Sequence, residues 1–198
     1  MSRYDPGMQT LRHHAFTLEA YLDLDARSDE RFEFLGGGIF VMAGASPQHN
    51  RIALKTAGAL DRRVGRTCHA FGAEQRVVTG DGLYTYPDAL VACGKLDVLL
   101  VQGTGTVRNP SLVVEVLSPS TRDYDLGEKL EHYQSTPSLR EVLLIEQDRV
   151  DVLHVRRSPQ SLTGWEQERF LQLSDAVTLL SVRRTLTLQE IYARAFEI

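Results

Sequence analysis

Apolar and polar positions follow two rhythms along the 198-residue chain, one of period near 3.6 and one of period two. Behind Thr17, the residues Leu18, Tyr21, Leu22 and Leu24 fall mostly on one helical face, which predicts a short helix over 17–27, capped by Thr17 and ending near Ser28. Arg31–Leu35 and Ile39–Met42 flank Gly36, Gly37 and Gly38 and predict two strands joined by a glycine turn. Ile52, Thr56, Ala59, Leu60 and Val64 form an apolar stripe that predicts a helix over 49–64, with Lys55, Asp61, Arg62 and Arg63 on its other faces. Strand-like runs follow at 68–79, 83–92, 96–101 and 111–117, separated by Gly, Pro, Asp and Asn.

Asp125 and Glu128 stand in the D-x-x-E order of a capping box, predicting a helix from Asp125 to about Ser135 that Pro137 stops. In it Leu126, Leu130 and Tyr133 make the core-facing stripe. Residues 141–146 and 149–155 read as a strand pair, and 165–180 as containing another pair. Thr187–Glu190 is a second capping-box pattern, opening a terminal helix with Ile191, Ala195 and Phe196 on its buried side. This order predicts an α/β or α+β fold, a mixed sheet flanked by helices with an N-terminal hairpin and a C-terminal strand-and-helix extension. Neither a linker nor a repeat divides the chain, so one domain over 1–198 is expected, with 1–14 a loosely ordered N-terminal segment.

Composition narrows the function classes. With 42% hydrophobic and 24% charged residues the chain can bury a substantial core. Its apolar runs, such as Val98–Val101, fall far short of the roughly 20 residues a membrane span needs. The start, MSRYDPGMQTLRHH, lacks the apolar core of a signal peptide, so a cytoplasmic location is expected. Cys68 and Cys93 are far apart with no second thiol nearby, and both read as ordinary small apolar residues rather than a zinc site or disulfide. A formal net charge of −4 argues against non-specific coating of nucleic acid. It leaves room for a local basic face from Arg62-Arg63, Arg66, Arg156-Arg157 and Arg183-Arg184. Only Lys55, Lys95 and Lys129 are lysines, against nineteen arginines, so an oddly placed lysine is informative.

Three residues stand out chemically. Glu115 lies within the apolar run Leu112–Leu117, typical of a strand covered on both faces, where an unpaired carboxylate costs several kcal/mol. An arginine partner, a raised pKa or a bound cation would compensate it. Asp88 follows Pro87, which disfavours the middle of a ladder, so a bulge or bend is expected; Asp after Pro is either a turn residue or a re-aimed site residue. Lys129 lies beside the stripe of its helix, as a snorkelling stem or as a cation aimed at a reaction centre.

Pro87-Asp88, Glu115 in VVEVLSPST 27 positions on, and Asp125, Lys129 and Tyr133 in D-x-x-x-K-x-x-x-Y resemble the Uma-type family of restriction-endonuclease-like proteins, within the P-D…(D/E)-x-K nuclease superfamily. The resemblance extends from Phe16-Thr17 through Phe32–Ile39 and Ser46–His49 to the strands after Glu141. It implies a magnesium ion, replaceable by manganese, held by Asp88, Glu115 and the Val116 carbonyl, with Lys129 orienting a water or stabilising charge on a phosphate. Glu33 and His49 match the family's N-terminal motifs and are added as site residues. The superfamily lysine is expected two residues after the acidic one, where this chain has Leu117; either Lys129 supplies that charge from the next helix, or the site is degraded. The implied activity is magnesium-dependent hydrolysis of DNA, the alternative a non-catalytic module for nucleic-acid binding or protein interaction. Cutting both strands is simplest for a symmetric pair of sites, which makes a homodimer the expected assembly.

Overall fold

The computed structural model describes residues 15–42, 44–101 and 104–197, so the expectation for 1–14 lies outside the described residues. The first helix, α1 (Leu18–Arg27), is capped by Thr17, whose hydroxyl accepts from the Ala20 amide. A hairpin follows, β1 (Phe32–Leu35) and β2 (Gly38–Val41), with Gly36 and Gly37 at φ of 55° and 90° in its turn. Only glycine takes both values without strain, and the glycine run fixes this turn. The second helix, α2 (Pro47–Asp61), begins two residues before the predicted start because Ser46 caps it and Pro47 fits its first turn. Ile52, Ala53, Thr56, Ala59 and Leu60 make its buried face.

The strands from here are β3 (Cys68–Gly72), β4 (Arg76–Val78), β5 (Tyr84–Thr85), β6 (Ala89–Cys93), β7 (Val98–Val101), β8 (Thr104–Val107) and β9 (Pro110–Leu117). Two helical turns, α3 (Arg122–Leu126) and α4 (Glu128–Gln134), lead to β10 (Glu141–Glu146), β11 (Val152–Arg157), β12 (Trp165–Phe170), β13 (Ala176–Leu179), β14 (Arg184–Thr187) and α5 (Leu188–Ile191). They form one six-stranded sheet in the order β2-β1-β5-β4-β8-β7 and another in the order β12-β11-β10-β9-β6-β3, with β13 and β14 as a separate hairpin. Strand pairs β9–β10 and β4–β8 are parallel and the other pairs antiparallel, which gives the mixed α+β architecture the element order predicts.

All eight residues of β9 are buried, Ser111 and Glu115 among them, as expected of a strand covered on both faces. Leu112, Val114 and Val116 face a core shared with α2, the β13–β14 hairpin and α5. Val113 and Leu117 face another, closed by Leu130 and Tyr133 of α4. Tyr21, Leu22, Phe32, Phe34, Ile39 and Tyr84 pack α1 onto the first sheet in a third cluster.

Several expectations are corrected. The runs 68–79 and 83–92 each divide between the two sheets. The bend at Pro87-Asp88 is the point where the chain leaves one sheet for the other, and the bulge lies later, between Val91 and Ala92. The helix expected over 125–135 is broken at Gly127, and Asp125 is no cap but a buried residue inside α3. Thr187 and Glu190 do form a capping box, yet α5 is only four residues long, and Phe196 is exposed. Cys68 and Cys93 are disulfide-bonded rather than ordinary apolar residues, because the β3–β6 register sets them opposite each other. No helix among the described residues is long and apolar enough to cross a membrane.

Candidate active site

Strand β6 runs antiparallel to β9 with Ala89 opposite Val114, Leu90 opposite Val113 and Val91 opposite Leu112. One further step of that register sets Asp88 against Glu115. Side chains alternate along a strand, so Glu115 shares the face of Val113 and Leu117, beneath α4. Asp88, freed from the ladder by Pro87, turns its carboxylate back to the neighbouring strand: its Oδ2 accepts from the Val116 amide at 2.7 Å and lies 3.0 Å from His49 Nε2. His49 arrives from the first turn of α2, while its buried Nδ1 has no hydrogen-bond partner among the described residues.

Lys129 of α4 is the hub of the cluster. Its Nζ lies 2.9 Å from Glu33 Oε1, 3.0 Å from Glu115 Oε1 and 3.6 Å from Asp125 Oδ1, and the residue is only 4% exposed. The side chain is therefore not snorkelling to solvent. Glu33, on β1, accepts hydrogen bonds from Thr85 and, at 3.0 Å, from the Tyr124 hydroxyl. Tyr133, one turn after Lys129, donates its hydroxyl to Glu115 Oε1. Asp125 sits one turn before Lys129, so the segment D-x-x-x-K-x-x-x-Y presents a carboxylate, an ammonium and a hydroxyl toward Glu115.

These contacts divide the carboxylates into two kinds. Burial raises the Glu33 carboxyl, but Lys129, Thr85 and Tyr124 outweigh it and hold the group below its usual range, as a fixed anion. Burial pushes Glu115 up to about 8, with Lys129 opposing and Asp125 and Asp88 adding repulsion. Asp88 is also raised, by burial above all, with His49 and the Val116 amide opposing. Asp125 is raised by burial against the pull of Lys129. Burial lowers Lys129, but Glu115, Glu33, Tyr133 and Asp125 more than offset it, so the amine stays charged. One ammonium thus serves a cluster of carboxylates, and Asp88 and Glu115 bear the uncompensated part.

The cluster forms one wall of a cavity of about 320 Å³ lined by Glu33, His49, Glu115, Val116, Asp125 and Lys129. Ser46, Ser118, Ser120 and Thr121 supply hydroxyls to its lining. Asp88 does not line it and joins it through His49 and Val116, which do. The six residues singled out in the sequence, Glu33, Asp88, His49, Glu115, Val116 and Lys129, thus converge, although the Val116 group engaged with Asp88 is its amide. Leu117 is 2% exposed and packs in the core below α4, so the position of the superfamily lysine is filled by an apolar side chain. Nothing in the sequence reading points to Thr85 or Tyr124, while Asp125 and the hydroxyl of Tyr133 are signalled only by the D-x-x-x-K-x-x-x-Y spacing.

Among the described residues, no three His, Cys, Asp or Glu side chains form a ready-made metal cage. Tyr133 and Lys129 converge on Oε1 of Glu115, and Val116 and His49 on Oδ2 of Asp88, so each carboxylate is anchored through one oxygen. Two adjacent carboxylates with unmet negative charge fit a hard divalent cation that keeps several waters, as magnesium does.

The fold has a solved counterpart. A crystal structure described as a putative nuclease belonging to DUF820 from Anabaena variabilis superposes with a TM-score of 0.71, covering 91% of this chain and 99% of that one at 22% identity. Residues 18–189 match the Uma2 family, described as "Putative restriction endonuclease", and the chain belongs to that family. It is similar to two proteins of Synechocystis sp., both described as uncharacterized. Identity to sll1609 is 33% over 71% of this chain and 80% of that protein. Identity to slr1290 is 30% over 88% of this chain and 90% of that protein.

Proposed function

We propose that the cavity is the active site of a magnesium-dependent endonuclease that hydrolyses DNA phosphodiester bonds. The observation that carries this reading is the buried Lys129 ammonium, held between Glu33 and Glu115 with Asp88 at the bend that opens the adjoining strand. A lysine held protonated by several anions is a poor base but a fixed positive charge, suited to a phosphate oxygen that gains charge as the bond breaks. Lys129 reaches this point from α4 and takes the role that Leu117 does not.

Asp88 and Glu115 would hold the metal, which would polarise the phosphodiester and activate a water. The rest of the site keeps those two groups in place. His49 and the Val116 amide orient Asp88, Tyr133 orients Glu115, and Thr85 and Tyr124 orient Glu33, which fixes Lys129. The hydroxyls of Ser118, Ser120 and Thr121 line the path by which a strand would enter. A symmetric dimer would present two such sites to the two strands of a duplex.

Titration calorimetry with manganese tests the metal reading. Wild-type protein binds the ion, and Asp88→Asn and Glu115→Gln each weaken binding by about tenfold or more, the scale of a lost carboxylate ligand or its partners. Equal binding by all three proteins would remove the metal from the account.

A further inference from the structure

A second cavity opens at the other end of β9, lined by Ser111, Arg140, Arg156, Arg157, Ser158 and Arg183 among others. Its volume is about 630 Å³, larger than that of the first. Four steps of strand separate Ser111 from Glu115, or roughly 13 Å, so the two cavities meet β9 toward opposite ends. In a chain of net charge −4, four arginines around one cavity run against the overall balance.

These arginines are not equivalent. Arg157 is structural: its guanidinium donates to the carbonyls of Leu139, Gln134 and Thr136 and lies 4.6 Å from the centre of the Trp165 ring. Arg156 faces Glu166 and Glu168 on the neighbouring strand. The guanidinium groups of Arg140 and Arg183 make no hydrogen bond or ion pair with any described residue. Glu141, the acidic group in the lining, is occupied by His154, the Leu180 and Ser181 amides and the Ser181 hydroxyl. Arg183 carries a further mark. Its φ is 54°, in the left-handed region where glycine would sit without strain, yet the turn presents an arginine to the cavity.

We infer that this cavity is a second binding site, taking a phosphate group through Arg140 and Arg183, with Ser111 and Ser158 beside them. Guanidinium forks match phosphate oxygens in pairs, and two unpaired forks at one concave site define that chemistry. A free nucleotide and a phosphate of a nucleic-acid strand both offer the group. The inference goes beyond the hydrolytic reading and does not depend on cleavage.

The test uses the full chain in the presence of EDTA, titrated with adenosine 5′-monophosphate and, separately, with a labelled single-stranded DNA 12-mer. The Arg140→Ala/Arg183→Gly double variant is compared with wild type. Wild type binds at least one probe; the double variant binds it about tenfold or more weakly, the scale of lost charge-assisted hydrogen bonds. Loss of monophosphate binding identifies a free nucleotide as sufficient, and loss confined to the 12-mer identifies a strand phosphate. The single variant Arg183→Gly, which relieves backbone strain, melts no lower than wild type while binding more weakly, separating a lost contact from a lost fold. No binding of either probe by wild type, or undiminished binding by a folded double variant, overturns the inference.

Discussion

Replacing Lys129 with Met removes the ammonium while keeping most of its volume, so the change isolates the charge from the packing. The ammonium is within 3.0 Å of both Glu33 and Glu115 and within 3.6 Å of Asp125, and all four side chains are almost wholly buried. Removing one partner of a buried ion pair costs about 3–5 kcal/mol, because the remaining charge is left without compensation. At about 2–4 °C per kcal/mol for a chain of this size, the melting temperature falls by on the order of 10 °C. The deficit depends on pH with a definite sign. In the wild type Glu33 is held below its usual pKa, a contribution present above the unfolded value and lost as pH falls. Without Lys129, burial is opposed only by the hydroxyls of Thr85 and Tyr124 at Glu33 and of Thr121 at Asp125, so both carboxyls rise relative to the wild type, and the cost of keeping them ionised in the folded state grows as pH rises. Urea unfolding at pH 8 and pH 5 reads this directly: the gap between wild type and Lys129→Met is large at pH 8 and narrows at pH 5. Adding Glu33→Gln to Lys129→Met restores about 1–2 kcal/mol at pH 8, since one stranded charge is gone. Equal melting of wild type and Lys129→Met at pH 8 would show that the cluster is not electrostatically organised around the lysine.

Two further substitutions probe the same frame. Glu141 is held below its usual pKa because hydrogen bonds from His154, Ser181 and Leu180 outweigh the opposing effect of burial, so Glu141→Gln costs about 2 kcal/mol near neutral pH. That stability is present above the unfolded pKa and is lost as pH falls through the folded one, so the gap closes under acid in a chemical-denaturation series; a constant gap would refute the assignment. Leu117→Lys places a charge at the superfamily position, but inside an apolar core, and lowers stability by more than about 2 kcal/mol without raising cleavage. Increased cleavage by that variant would show that Lys129 does not replace the missing lysine.

Legibility in the sequence followed how local each determinant is. Thr17, the glycine run at 36–38 and the stripe from Ile52 to Leu60 encode α1, the hairpin and α2 through neighbours in the chain, and all three form as the pattern predicts. Strand β8, by contrast, reads as a turn because Thr104, Gly105 and Thr106 show no apolar alternation; its place is set by pairing with β4 and β7. The Cys68–Cys93 bond spans 25 residues and becomes visible only once β3 and β6 are in register. Buried Arg76, paired with Asp25 and Thr106, gives no local sign of the network that ties α1 to the first sheet. In the site, Glu115 was visible as a charge in an apolar strand and Lys129 as a rare lysine beside a helical stripe. Asp125 was misread as a cap, because D-x-x-E matches a capping box wherever it occurs. Gly127 breaks the helix and leaves Asp125 facing Lys129 instead.

Cleavage of supercoiled plasmid DNA in magnesium by wild-type protein and by Glu115→Gln tests the central claim most directly. The account predicts nicked or linear product from the wild type, absent when EDTA is present, and a rate lower by about a hundredfold or more for the variant, the scale of a lost metal-binding carboxylate. A folded wild type that binds the metal yet leaves the plasmid intact, or a variant that cuts as fast as the wild type, would contradict it.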